Sequence, residues 1–255
     1  MRPISFQKVD STIIAFDARL TIFKKKILNN LDSLIFPRTP KDKKAYINHI
    51  KINIDKIIAG KPEVINTLKA EFDAILTPKL MASKAYIDFK DKILGALEYA
   101  SRRSDFYPKY FHQLGIKACV YCNAQLAVTI EEKVNLKTKT RIDYTAKFQV
   151  DHFLPKADYP CFSISLYNLY PVCANCNIAK SKSIVDFNLY SDEQNLTSNG
   201  YKFDLEKGTV AKYLISRNVE DIQYKFLEPM VLAPTKSFQE VFKIQEIYDT
   251  QKGRC

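Results

Sequence analysis

At 255 residues the chain has room for one large domain or two small ones, and 46% hydrophobic residues with only 6 Gly and 11 Pro exclude a low-complexity or largely disordered protein. The 39 Lys+Arg against 28 Asp+Glu leave a net charge of +11, which suits nucleic acid or an anionic membrane surface as partner, and equally a basic face that only meets solvent. No charged start followed by an apolar signal run is seen. The longest apolar stretches, such as STIIAF at residues 11–16, are too short to cross a bilayer, so no membrane association and a cytoplasmic location are expected.

Residues 1–115 read as a helical N-terminal region. Ile27, Leu28, Leu31, Leu34 and Ile35 recur at helical spacing, as do Ile47, Ile50, Ile54, Ile57 and Ile58 after the break PRTPKDK. Residues 62–75 and 86–99 repeat the pattern. Arg102 and Arg103 read as a solvated helix face. A change of character near residue 118 opens a second stretch, 116–190. There, residues 124–131 and 140–152 alternate like two strands around the polar turn NLKTKT, and a short helix is expected over 177–183. The aromatics Tyr159, Phe162, Tyr167 and Tyr170 are expected in the core. Residues 191–255 form a mixed C-terminal extension, with a hairpin over 201–213 and a helix over 237–248. The fold class expected is α+β.

Cysteine spacing carries the first chemical signal. Cys119/Cys122 and Cys173/Cys176 form two CxxC pairs, the full thiolate set for a tetrahedral structural zinc. The alternative is four unligated thiols with one redox-active pair. Cys161 has no partner at ligand spacing and reads as a small buried residue, and Cys255 as incidental. A zinc held by four thiolates closes a fold but is a poor Lewis acid for phosphate, so chemistry has to come from other residues.

Those residues lie between and just after the pairs, in VDHFLPK (150–156) and LYNLYPVCANCNIAKSKS (166–183). Phosphodiester hydrolysis needs a base for water, a divalent cation and donors that orient the phosphate. His152 can be the base. Asp151 and Asn177 offer hard oxygens suited to Mg²⁺ or Mn²⁺. Lys156, Lys180 and Lys182 can meet phosphate, or simply solvent. Asn168 and Asn177 could instead be turn or cap residues.

The run D-H-x-x-P-K, then N-L, then C-x-x-C-N-x-x-K resembles the HNH, or ββα-metal, nucleases, in the zinc-stabilised branch where two CxxC pairs bracket the motif. The resemblance covers residues 119–183. It implies a metal-dependent endonuclease built on a zinc-braced ββα-metal module, with DNA favoured over RNA as substrate. Asp151 would be a metal ligand, His152 the general base, and Asn168 the middle residue bracing the loop around the base through backbone hydrogen bonds. Asn177 would be the second ligand and Lys180 the lysine of the following helix. Some resemblance extends to the HNH subunits of antiphage defence systems such as Septu and certain retrons, whose partner is an ATPase. Those proteins often carry a tryptophan before the middle asparagine, and this chain has none. A nucleic-acid-binding zinc module without cleavage, and an effector gated by a partner protein, are the competing readings.

Overall fold

Apolar residues three and four apart turn the first stretch into helices in the computed structural model, which describes residues 3–135, 140–183, 185–192, 200–232 and 234–252. Residues 136–139 of the expected turn, and Cys255, lie outside the described residues. A short strand β1 (Ile4–Ser5) leads into α1 (Phe6–Ala15), α2 (Asp17–Asp32), α3 (Lys41–Ile52), α4 (Ile54–Ala59), α5 (Pro62–Ile75), α6 (Pro78–Met81), α7 (Ile87–Ala96) and α8 (Tyr99–Gln113). Helix α2 shows the logic, burying Leu20, Phe23, Ile27 and Leu31 along one stripe.

Two expected helices are interrupted. The stretch 47–58 breaks at Asn53, whose side chain donates to the His49 carbonyl at 3.2 Å and competes with the helical ladder. The stretch 86–99 breaks at Glu98, which sits at φ 55 and is held there by Lys26 at 2.5 Å and Arg102 at 2.9 Å. Arg102 is accordingly not a solvated residue. Its guanidinium lies 3.9 Å from the Phe23 ring centroid.

Gly115, at φ 69, terminates α8. Its N–H bonds the His112 carbonyl at 2.9 Å, and the Ile116 N–H reaches Phe111 O at 3.3 Å, the paired closure that only a left-handed residue permits cheaply. The chain then enters the second stretch with β2 (Val128–Asn135), β3 (Thr140–Lys147), β4 (Gln149–His152), β5 (Leu169–Val172), α9 (Ala174–Lys180) and β6 (Tyr190–Ser191). The expected strand 124–131 lies later, at 128–135. The expected strand 140–152 is two strands with different partners. β3 pairs antiparallel with β2, while β4 turns at Phe148 and pairs antiparallel with β5, aligning Asp151 with Tyr170 and His152 with Leu169. Phe148 makes the turn by packing its ring edge-on against Phe111 of α8 at 5.4 Å. The short helix falls at 174–180, ahead of its expected position.

The C-terminal stretch carries β7 (Lys202–Leu205), α10 (Thr209–Ser216), β8 (Tyr224–Leu227), α11 (Phe238–Phe242) and α12 (Ile244–Asp249). No hairpin spans 201–213; β7 pairs with β8 across the intervening α10. Lys243, at φ 52, divides the expected 237–248 helix into α11 and α12. The architecture is mixed helix and sheet, an α+β fold. Buried side chains from all three stretches belong to one continuous core, which includes Tyr159, Cys161, Phe162, Tyr167 and Tyr170. Among the described residues no helix is long and apolar enough to cross a membrane.

Candidate active site and metal centre

The two CxxC pairs meet. Cys119 and Cys122 lie in a tight turn after α8, where Cys119 N–H bonds Gln125 O at 2.9 Å and Asn123 N–H bonds Cys119 O at 2.8 Å. Asn123 takes the left-handed backbone (φ 51) that asparagine tolerates. Cys173 caps α9, and its sulfur accepts the Cys176 N–H at 3.5 Å. All four sulfurs lie within 4.8 Å of one another and all four residues are buried. A tetrahedron with metal–sulfur bonds of about 2.3 Å has sulfur–sulfur edges of about 3.8 Å, so the cluster fits a metal ion such as zinc with little adjustment. Cys122 and Cys173 are already 4.0 Å apart.

Three elements outside the pairs hold this centre. Val120 N–H docks on Pro171 O of β5 at 3.3 Å. The Tyr248 hydroxyl of α12 donates to Cys122 O at 3.1 Å. Tyr121, between the first two cysteines, stacks on Phe242 of α11 at 4.6 Å. The C-terminal stretch is thus a clamp on the cysteine centre.

Beside it, β4, β5 and α9 form a strand–strand–helix unit. Alternate residues of β4 face α9: Gln149 accepts from the Asn177 amide at 2.5 Å, and Asp151 Oδ2 accepts from Lys180 Nζ at 3.1 Å. Residues two apart on a strand therefore face residues three apart on a helix, which puts Asp151 and Asn177 on one shared surface. Asp151 Oδ2 also accepts the Tyr121 hydroxyl at 2.7 Å, while Asp151 Oδ1 and Asn177 Oδ1 make no hydrogen bond among the described residues.

Lys180 is placed differently from expectation. It is 1% exposed, and its ammonium bridges Asp151 and the His152 carbonyl at 3.1 Å each. A phosphate contact from solvent is closed to it, because the ammonium is enclosed and donates to both of these acceptors. Lys182, beyond the helix, is exposed.

His152 points to the other side of β4. Its Nε2 lies 3.1 Å from the Ser163 carbonyl, and its ring lies 4.9 Å from Tyr99 of α8. A carbonyl only accepts, so Nε2 carries the hydrogen and Nδ1 holds the lone pair. Burial lowers the His152 pKa to about 3; Lys156, Lys180 and Arg103 push it the same way, against the Ser163 hydrogen bond. The ring is therefore neutral at neutral pH.

Asn168 is 1% exposed and ties the loop between β4 and β5 to itself. Its Oδ1 accepts Leu154 N–H at 2.7 Å, and its Nδ2 donates to Leu154 O at 3.2 Å and Phe162 O at 3.0 Å. That loop also leans on the N-terminal helices. Phe162 meets Phe72 at 5.6 Å, and the Tyr167 hydroxyl bonds Asp10 at 2.6 Å.

Lys156 lies on the Tyr99 ring at 4.6 Å, half-buried, and burial lowers its pKa, with Arg103 adding to the effect. Tyr99, Arg103, Tyr121 and Gln149 reach the site although sequence spacing did not single them out for it. Only the tyrosine inside a CxxC pair carried a local hint. No protein-family model, curated protein or solved structure matches this chain.

Proposed function

We propose that the protein is a divalent-metal-dependent endonuclease of the HNH type, hydrolysing phosphodiester bonds in nucleic acid, with DNA favoured over RNA. The observation that carries this reading is the strand–strand–helix unit, in which a neutral, oriented histidine and two oxygen donors sit beside a four-cysteine centre. Asp151 Oδ1 and Asn177 Oδ1 are the hard donors that Mg²⁺ or Mn²⁺ takes, its remaining positions being filled by water and phosphate. When bound there, such an ion neutralises charge on the phosphate and on the leaving oxygen.

The chain's own residues supply the rest. His152 Nδ1 takes the proton of the attacking water, and the Ser163 carbonyl steadies the imidazolium that results by accepting from Nε2. Asn168 keeps the loop that carries Ser163 at a fixed distance from β4. Tyr121 and Lys180 hold one oxygen of Asp151, which leaves the other without a hydrogen bond among the described residues. Lys156 orients the phosphate. A four-cysteine zinc braces the unit and takes no part in the chemistry.

The test is cleavage of plasmid DNA, single-stranded DNA and tRNA with Mg²⁺, Mn²⁺ or neither, by the wild-type chain beside His152→Ala. Metal-dependent cutting that falls by about 10²–10⁴-fold in the variant, with metal content unchanged, is expected for loss of a general base. Equal cutting by both proteins refutes the base assignment.

A second reading is favoured by one observation: His152 is only 4% exposed, walled by Tyr99 and Lys156. In it, the nuclease is a defence effector that opens when a partner protein such as an ATPase engages it. Cleavage that appears only on addition of that partner would distinguish the two.

A further inference from the structure

Between α8 and the bend joining β3 to β4 lies a groove of about 420 Å³ that the hydrolytic scheme leaves unused. Its walls include Arg103 and Ser104 of α8, Tyr144, Ala146 and Phe148 on and after β3, and Val150 of β4. Arg103 is the only charged side chain lining it, is exposed, and has no acidic partner among the described residues. The two aromatic rings are set from behind by α8. His112 meets Tyr144 edge-on at 5.3 Å, and Phe111 meets Phe148 at 5.4 Å.

The groove also ends where the chemistry begins. Val150 directly precedes Asp151, and its carbonyl accepts the Tyr99 hydroxyl at 3.4 Å. Arg103 stands one helical turn from Tyr99, whose ring covers His152. Fixed aromatic surface, one unpaired guanidinium and a neighbouring hydrolytic centre are what a base and its phosphate require together. Stacking on these rings needs a base whose face is free, which a base inside an intact duplex does not offer.

We propose that the groove receives an unpaired nucleotide next to the scissile phosphate, its base against Tyr144 and Phe148 and its phosphate at Arg103. The substrate class is then single-stranded or locally unpaired nucleic acid. Cleavage of the bond next to this nucleotide rests on the nuclease reading; the binding itself does not.

The experiment is fluorescence anisotropy with the full chain and a fluorescein-labelled single-stranded oligodeoxynucleotide, the same sequence as a blunt duplex, and that duplex with one central unpaired nucleotide. No magnesium or manganese is added, so binding is read without cleavage. The two probes with an unpaired nucleotide are expected to bind about tenfold more tightly than the blunt duplex, a modest effect for one stacked base. Arg103→Ala, at an exposed position, and Ala146→Trp, which fills the groove, should each shrink that preference to about twofold or less, with duplex affinity and thermal unfolding unchanged. A wild-type chain without the preference, or variants that keep it in full, would overturn the proposal. If the preference and its loss are seen but neither Mg²⁺ nor Mn²⁺ yields cleavage by the wild type, the reading as a nuclease active on its own fails and the groove stands. If the wild type cleaves while both variants bind as it does, the groove fails and the nuclease reading stands.

Discussion

His152 loses nearly all of its water at the end of β4, and the nearby cations Lys156, Lys180 and Arg103 add to the cost of charging it. The folded-state pKa of about 3 lies below the ordinary 6.5. As pH falls through that window the unfolded chain takes up a proton that the folded chain refuses, so stability is lost from about pH 6.5 toward pH 3, by about 1.4 kcal/mol per pH unit, and is unaffected above it. Urea unfolding between pH 7 and pH 4.5 should show this slope in the wild type and a shallower one in His152→Gln; parallel slopes would refute it. Lys180→Met strands the buried Asp151 carboxylate and should cost about 3–5 kcal/mol in urea unfolding. Adding Asp151→Asn should recover much of that loss, because the partners are coupled. The position of His152 at a strand end was legible from the alternation that stops there. The fate of Lys180 was not, because a lysine on a short helix gives no local sign of being enclosed.

At the scale of elements, the cysteine turn and α9 are each too short to persist alone. The turn is joined to α9 through four sulfurs and to β4 through Tyr121 and Asp151. A metal ion at the sulfurs therefore contributes folding free energy to the candidate site as well as to its own loop. Metal analysis should find one zinc per chain, and Cys176→Ser should lower both zinc content and Tm while broadening the unfolding transition. A variant that keeps its Tm without zinc would separate the centre from the fold. The pairing of the cysteines was readable because a two-residue spacing is a local property. The division of residues 140–152 into β3 and β4 was not, because alternation within a strand says nothing about which neighbour it pairs with, and Phe148 is drawn out by a ring on α8.

Over the whole molecule, the net charge of +11 gives any polyanion a favourable approach, and binding should weaken steadily as salt rises. Lys156→Ala should reduce the slope of log K against log salt by about one unit, as expected for removal of one phosphate contact. An unchanged slope would mean that Lys156 only covers Tyr99. The N-terminal helices serve the site as well as the core. α8 supplies Tyr99 and Arg103, while α1 and α5 hold the loop that carries Ser163 and Asn168.

Sequence by itself determined the helical character of the first stretch, the four cysteines as a set that could hold a metal ion, and the placing of Asp151-His152 at a strand end. Each of these depends on residues a few positions apart, where spacing and side-chain chemistry suffice. Tertiary structure alone decided that Lys180 is enclosed with Asp151, that His152 carries its hydrogen on Nε2, and that Arg103 lines a groove next to the site. Those outcomes follow from contacts between distant segments of chain, α8 with β4 and β4 with α9, and burial set by such contacts changes charge, tautomer and access without leaving a local pattern.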